Sequence, residues 1–191
     1  MYKYLVIEYK KQEQLDDSMI VSLFSEFVEF THVNILDHQI ILFYEQNTDI
    51  SFKDVILNVM SDTLTDLRLY VSYHYQTELE RDQQLEVVKK LLKDIQFAQY
   101  FYIDDKVLLK HNLTRITDEL RRHILRKFTN DHMMLGSIKV YLESNQNSSL
   151  AAKNLYIHRN TLIQRLDKFK EITGFDVRDF NDAFPIYHLI K

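Results

Sequence analysis

Apolar positions along the first hundred residues switch repeatedly between two periods. "YKYLVIEYK" (Tyr2 to Lys10) is dense in β-branched and aromatic residues and predicts a strand. "LDDSMIVSLFSEFVEFT" places Leu15, Ile20, Leu23, Phe24, Phe27 and Phe30 near helical spacing. "VNILDHQIILFYE" has two short apolar runs around Asp37-His38 and predicts a hairpin. "SFKDVILNVMSDTLTDL" opens on Ser51, a good cap, and spaces Val55, Ile56, Val59, Met60 and Leu64 for one helical face. "LRLYVSYHY" predicts another strand, and from Thr77 the period is helical again through "ELERDQQLEVVKKLLKDIQFAQYF". The order β-α-β-β-α-β plus a further helix predicts a ferredoxin-type split β-α-β arrangement, an antiparallel sheet with helices on one face.

Between Ile103 and Asn112 the strand pattern stops, and only helical patterns follow. They are "LTRITDELRRHILRKF", "DHMMLGSIKVYLES", "SLAAKNL", a stretch from Leu155, and "NDAFPIYHLI". The expected class is α+β. An α+β domain spans 1–110, a connector helix 111–132 and an all-α domain 133–191. The connector is equally compatible with a dimer helix or a solvated helix packed on its own domain. Only two glycines and one proline interrupt the 191 residues, so regular elements and short turns should dominate.

The most informative stretch is "NSSLAAKNLYIHRNTLIQRLDKFKEITG". Ser148 suits the N-cap of a short helix, and the Ala151-Ala152 pair lets another helix approach closely. "YIH" is a turn short enough for a tight corner, with Ile157 as its plug. A second helix from about Arg159 to Thr173 follows, with Gly174 placed to end it. At about 100° per residue, Leu162, Ile163, Leu166 and Phe169 share one side. Asn160, Thr161, Gln164 and Lys168 take the opposite side, with Arg159 at the entrance and Arg165 on the flank. This is a helix-turn-helix layout with a polar, basic second helix. Arg can bond two guanine acceptors, Asn or Gln can pair with adenine, and Thr can meet a thymine methyl. Lys168 suits a phosphate. A purely structural helical hairpin with a solvated polar face is the bland alternative.

Charge sharpens the picture. The net charge is −4, but Met1 to His132 carries −6, Met133 to Lys191 carries +2, and Leu150 to Lys170 alone carries +4. A local basic patch on an acidic chain fits one defined docking face better than non-specific polyanion binding.

These residues carry a resemblance. "YLESN", "AAKNL", "HRNTL", "RLDK", "EITG" and "DVRDFNDA" occur in order. Together they resemble the C-terminal helix-turn-helix of the PucR/CdaR family of bacterial transcription regulators, over about Met133 to Lys191. The turn and second helix also resemble those of Fis, a nucleoid protein. The resemblance implies double-stranded DNA as the partner, bound through His158, Arg159, Asn160, Thr161, Gln164 and Arg165. His158 has a helix-capping role as its alternative. Gln164 stands where the family often has an aromatic residue, and Pro185 interrupts what is usually a continuous apolar helix. The family often carries a degenerate GGDEF-like domain upstream, compatible with the order of elements before residue 110. Residues 1–110 hold no glycine and no paired acids in the hairpin, so no cyclase site is expected.

The remaining chemistry is sparse. There is no cysteine, hence no disulfide framework or thiolate site. Eight histidines show no spaced pair with an acidic partner, so no metal is expected. No cofactor and no catalytic constellation are expected either. The aromatic clusters "YVSYHY" and "FAQYFYI" fit core, with a small-molecule pocket for an unknown effector as the other reading. The N-terminus lacks a signal-peptide layout, and no apolar run approaches the roughly 20 residues that span a bilayer. A cytoplasmic regulator without membrane contact is expected. A homodimer on paired half-sites is expected too, because one helix-turn-helix reads few base pairs. The rival is a protein-interaction module built on a former DNA-binding fold.

Overall fold

The computed structural model describes residues 1–10, 16–36 and 38–191. Leu15 of the expected first helix and Asp37 of the expected hairpin therefore lie outside the described residues. The chain divides into two units, Met1–Asp105 and Lys106–Lys191.

The first unit contains β1 (Lys3–Tyr9), α1 (Asp17–Ser25), β2 (His32–Leu36), β3 (Gln39–Tyr44), α2 (Phe52–Thr63), β4 (Leu67–Val71), α3 (Glu78–Lys93) and β5 (Tyr102–Ile103). The sheet order is β2-β3-β1-β4-β5. The first four strands pair antiparallel, and β5 joins β4 in parallel. This is the split β-α-β arrangement with one short strand added. Strand β5 was not legible beforehand, since two residues carry no period.

Leu5, Ile7, Ile40, Leu42 and Leu69 point to one face, where Ile20 and Phe24 of α1 and Val55, Ile56 and Val59 of α2 close a core. Helices cover both faces of the sheet rather than the single face expected from the order of elements. Tyr4, Val6, Ile41, Phe43 and Tyr70 are buried on the other face, so β1 and β3 are apolar at consecutive positions rather than alternate ones. Helix α3 serves that face: the Arg81 guanidinium sits 4.5 Å from the centre of the Phe43 ring. Buried Arg68 on β4 donates to Glu8 of β1 and to the carbonyls of Leu92 and Ile95 at the end of α3. Ser51 caps α2 as expected. Leu64, expected on the apolar face, ends that helix in a left-handed conformation and is 92% exposed. Helix α1 stops at Ser25, so Phe27 and Phe30 lie beyond it.

The second unit is helical: α4 (Asp105–His111, its first residue closing the first unit), α5 (Asp118–Leu125), α6 (His132–Glu143), α7 (Ser148–Asn154), α8 (Arg159–Thr173) and α9 (Phe180–Ile190). In place of one connector helix over 111–132, the chain forms α5 and then a 3-10 turn at Arg126–Phe128. Leu120, His123, Ile124 and Leu125 of α5 are buried. Helices α6, α7 and α8 pack on one another, and α9 packs on α6. Leu162, Leu166 and Phe169 supply the α8 side of this core, with the Phe169 ring 5.7 Å from that of Phe128. Truncating any of them to Ala would cost about 2–5 kcal/mol. Pro185 is buried inside α9, which continues through it. It is the sixth residue of α9, past the first turn, so its missing N–H removes one helical bond, from the position that would donate to Asn181 O, without ending the helix.

Candidate nucleic-acid interface

The corner between α7 and α8 is fixed by local hydrogen bonds. Asn147, not Ser148, caps α7: its Oδ1 accepts from Ser149 N at 3.1 Å and Leu150 N at 3.0 Å. The cap moves one residue earlier than the sequence suggested because an Asn side chain reaches both amides. Ser148, released from capping, accepts from Arg159 Nε at 2.8 Å. The start of α7 is thereby tied to the start of α8.

Ala151 and Ala152 are buried, as close helix approach requires, whereas Leu150 is 47% exposed. Tyr156 in the turn adopts φ 54°, left-handed for a bulky residue. Its side chain is 96% exposed. Ile157 is half-buried, and its amide donates to Ala152 O at 3.0 Å. His158 Nδ1 accepts from Asn160 N at 3.2 Å, which makes His158 the cap of α8. An accepting Nδ1 puts the ring proton on Nε2 in the neutral ring. At the other end Gly174 takes φ 80° and donates to Lys170 O at 2.8 Å. That conformation suits glycine.

The sequence-derived candidates fall into two groups. His158, Arg159, Asn160, Thr161, Gln164 and Lys168 are all exposed. Arg165 is half-buried and donates to the buried Ser137 of α6 at 2.6 Å, so part of its guanidinium braces the fold. Both Arg159 and Arg165 are held by serine hydroxyls, which orient a guanidinium without cancelling its charge. The acids nearby are engaged elsewhere. Arg178 donates to Asp167 and Asp176, each at 2.7 Å, and Lys170 lies 3.0 Å from Asp176. Burial works against the Asp176 charge, but the hydrogen bonds from Arg178 and Lys170 win and hold its carboxyl well below the usual carboxylate range. The one acid between Leu150 and Lys170, Asp167, thus faces Arg178 rather than the arginines of the corner.

An exposed helix start with Arg, Asn, Thr and Gln side chains, a capping imidazole and a lysine one turn further on can pair base edges and phosphate oxygens. Sequence reading missed Ser148 as the tether of Arg159; the only signal was its position at the head of the preceding helix. Among the described residues, no three His, Asp or Glu side chains are grouped to hold a metal. No described helix is long and apolar enough to cross a membrane.

Residues 134–191 match the PucR C-terminal helix-turn-helix domain. The chain is 27% identical over 136 residues to the uncharacterized protein YxkF of Bacillus subtilis, covering 68% of this chain and 46% of that one. It is 31% identical over 94 residues to the purine catabolism regulatory protein of Bacillus subtilis, covering 47% and 18%. It is 33% identical over 72 residues to the carbohydrate diacid regulator of Escherichia coli, covering 37% and 19%. The chain therefore spans less than half the length of these relatives.

Proposed function

Residues 134–191 carry a PucR C-terminal helix-turn-helix domain, and on that premise we propose that the chain is a cytoplasmic bacterial transcription regulator that binds duplex DNA through α8. The observation that carries this reading is the exposed row Arg159, Asn160, Thr161, Gln164 and Lys168 on a helix whose opposite side is core. Arg159 and Asn160 address base edges from the helix start, Thr161 and Gln164 continue along the groove, and His158 and Lys168 hold phosphates. Arg165 contributes from the flank while braced on Ser137. The names of the matched relatives, regulators of purine catabolism and of carbohydrate diacids, support regulation rather than catalysis.

The chain acts as a homodimer, because paired half-sites about one helical turn apart supply the specificity one α8 lacks. Residues 1–110 form the dimerisation or sensing domain, a degenerate relative of the GGDEF-like domain. Its support is the split β-α-β order of the sheet. Residues 133–191 are the DNA-binding domain, joined to it through 111–132.

A second reading, an assembly module on a former DNA-binding fold, draws on the first unit, whose nine Lys/Arg and 19 Asp/Glu give −10. Salt separates the two. Affinity for genomic DNA fragments should drop about a thousandfold between roughly 50 and 200 mM salt if several phosphates are contacted. Binding indifferent to salt would favour the assembly module.

A further inference from the structure

At one end of the sheet the first unit holds a cavity of about 370 Å³, within the range of small-ligand sites. It is lined by Lys3, Lys53 and His74, together with Tyr44, Tyr73 and Tyr102. Among the described residues no Asp or Glu lines it, although the unit as a whole carries −10. A random patch of so acidic a unit would include carboxylates. Lys3 shows the same bias: its ammonium donates to Gln46 O at 3.2 Å and Asn47 Oδ1 at 3.0 Å, both neutral, and lies over the Tyr44 ring. Burial draws the Lys3 pKa down, a penalty that an anion in the cavity would relieve. Burial, helped by the Asp104 charge, pushes the Tyr102 phenol up to about 12, and burial raises Tyr44 further. Both phenols stay protonated and can donate to an anion.

The geometry points to this cavity as the binding site for a small organic anion, a carboxylate or phosphate carried on a planar apolar body. The lysines take the charge, and the tyrosine rings take the body by stacking. Strands β1, β3 and β4 and the first turn of α2 all reach the cavity, and Tyr102 lies three residues before the end of the unit at Asp105. An occupant would therefore bear on the segment that leads out of the unit. This deepens the sensing role proposed above and rests on it for its consequence, while the binding itself is measured without DNA.

Phenyl phosphate and its neutral counterpart benzyl alcohol are the probes, titrated at matched ionic strength into the ¹⁵N-labelled full chain. Phenyl phosphate is expected to shift the amides of Ser51, Phe52, Ser72 and Tyr73 saturably, and benzyl alcohol is not. Lys53→Gln, at an exposed position, and Lys3→Gln should each weaken phenyl phosphate by about tenfold, the scale of one charge-assisted bond. An unshifted set of amides, an equal response to benzyl alcohol, or unchanged affinity in both substituted proteins would overturn the assignment. DNA binding by the wild-type chain is scored separately, so failure here and failure of the regulator reading remain distinct.

Discussion

Arg159 Nε donates to Ser148 Oγ across 2.8 Å, joining the first residue of α8 to the first residue of α7. The bond uses the inner nitrogen of the guanidinium and leaves its two outer nitrogens for a base or a phosphate. Removing the hydroxyl while keeping the arginine tests that role. Ser148→Ala is expected to weaken binding to the preferred DNA site by about 1 kcal/mol, and Arg159→Ala by about 1–3 kcal/mol. Competition binding against non-specific DNA checks both. Ser148→Ala should lose discrimination while its thermal unfolding stays that of the wild type.

Gln164 stands in the middle of the exposed row. Its substitution should leave stability within about 0.5 kcal/mol and change preference at one base pair by about 1–3 kcal/mol. Selection of bound sequences from a random pool, wild type against Gln164→Ala, reads this as relaxation at a single position of the motif.

Asp176 makes the helical unit sensitive to acid. Its carboxyl is held below the usual range by Arg178 and Lys170 against the effect of burial. A depressed folded pKa gives stability that is present above the unfolded value of about 3.9 and is lost as pH falls through the folded value. Asp176→Asn should therefore unfold at lower urea than the wild type at neutral pH, and the gap should narrow as the pH is taken well below 3.9. A gap independent of pH would show that packing, not charge, is what the substitution removes.

Gly174 closes α8 at φ 80°, where an L side chain is strained. Gly174→Ala should cost about 1 kcal/mol, measured by chemical denaturation of the full chain. A neutral result would mean that the end of α8 rearranges at no cost.

How far these features could be read from sequence depended on their range. The α8 faces were legible because Leu162, Leu166 and Phe169 recur at helical spacing, and the chain folds them as that spacing implies. The caps at Ser51 and Gly174 were equally local. Asn147 took the cap expected of Ser148 because two adjacent polar residues offer the same chemistry and only geometry chooses between them. The second buried face of the sheet was hidden by tyrosines, which suit core and surface alike: Tyr4 and Tyr70 are fully buried, while Tyr156 is almost wholly exposed. The bonds from Arg159 to Ser148 and from Arg165 to Ser137 span 11 and 28 residues, and no local pattern announces a pairing across that distance.

The most direct measurement is recovery of genomic DNA by the purified chain and by the Arg159→Ala/Asn160→Ala double variant, each checked for native circular dichroism. The wild type is expected to enrich a small set of fragments sharing paired half-sites, and the folded double variant to lose that enrichment. Equal enrichment of the same fragments by a well-folded double variant would contradict the assignment of α8 as the reading helix.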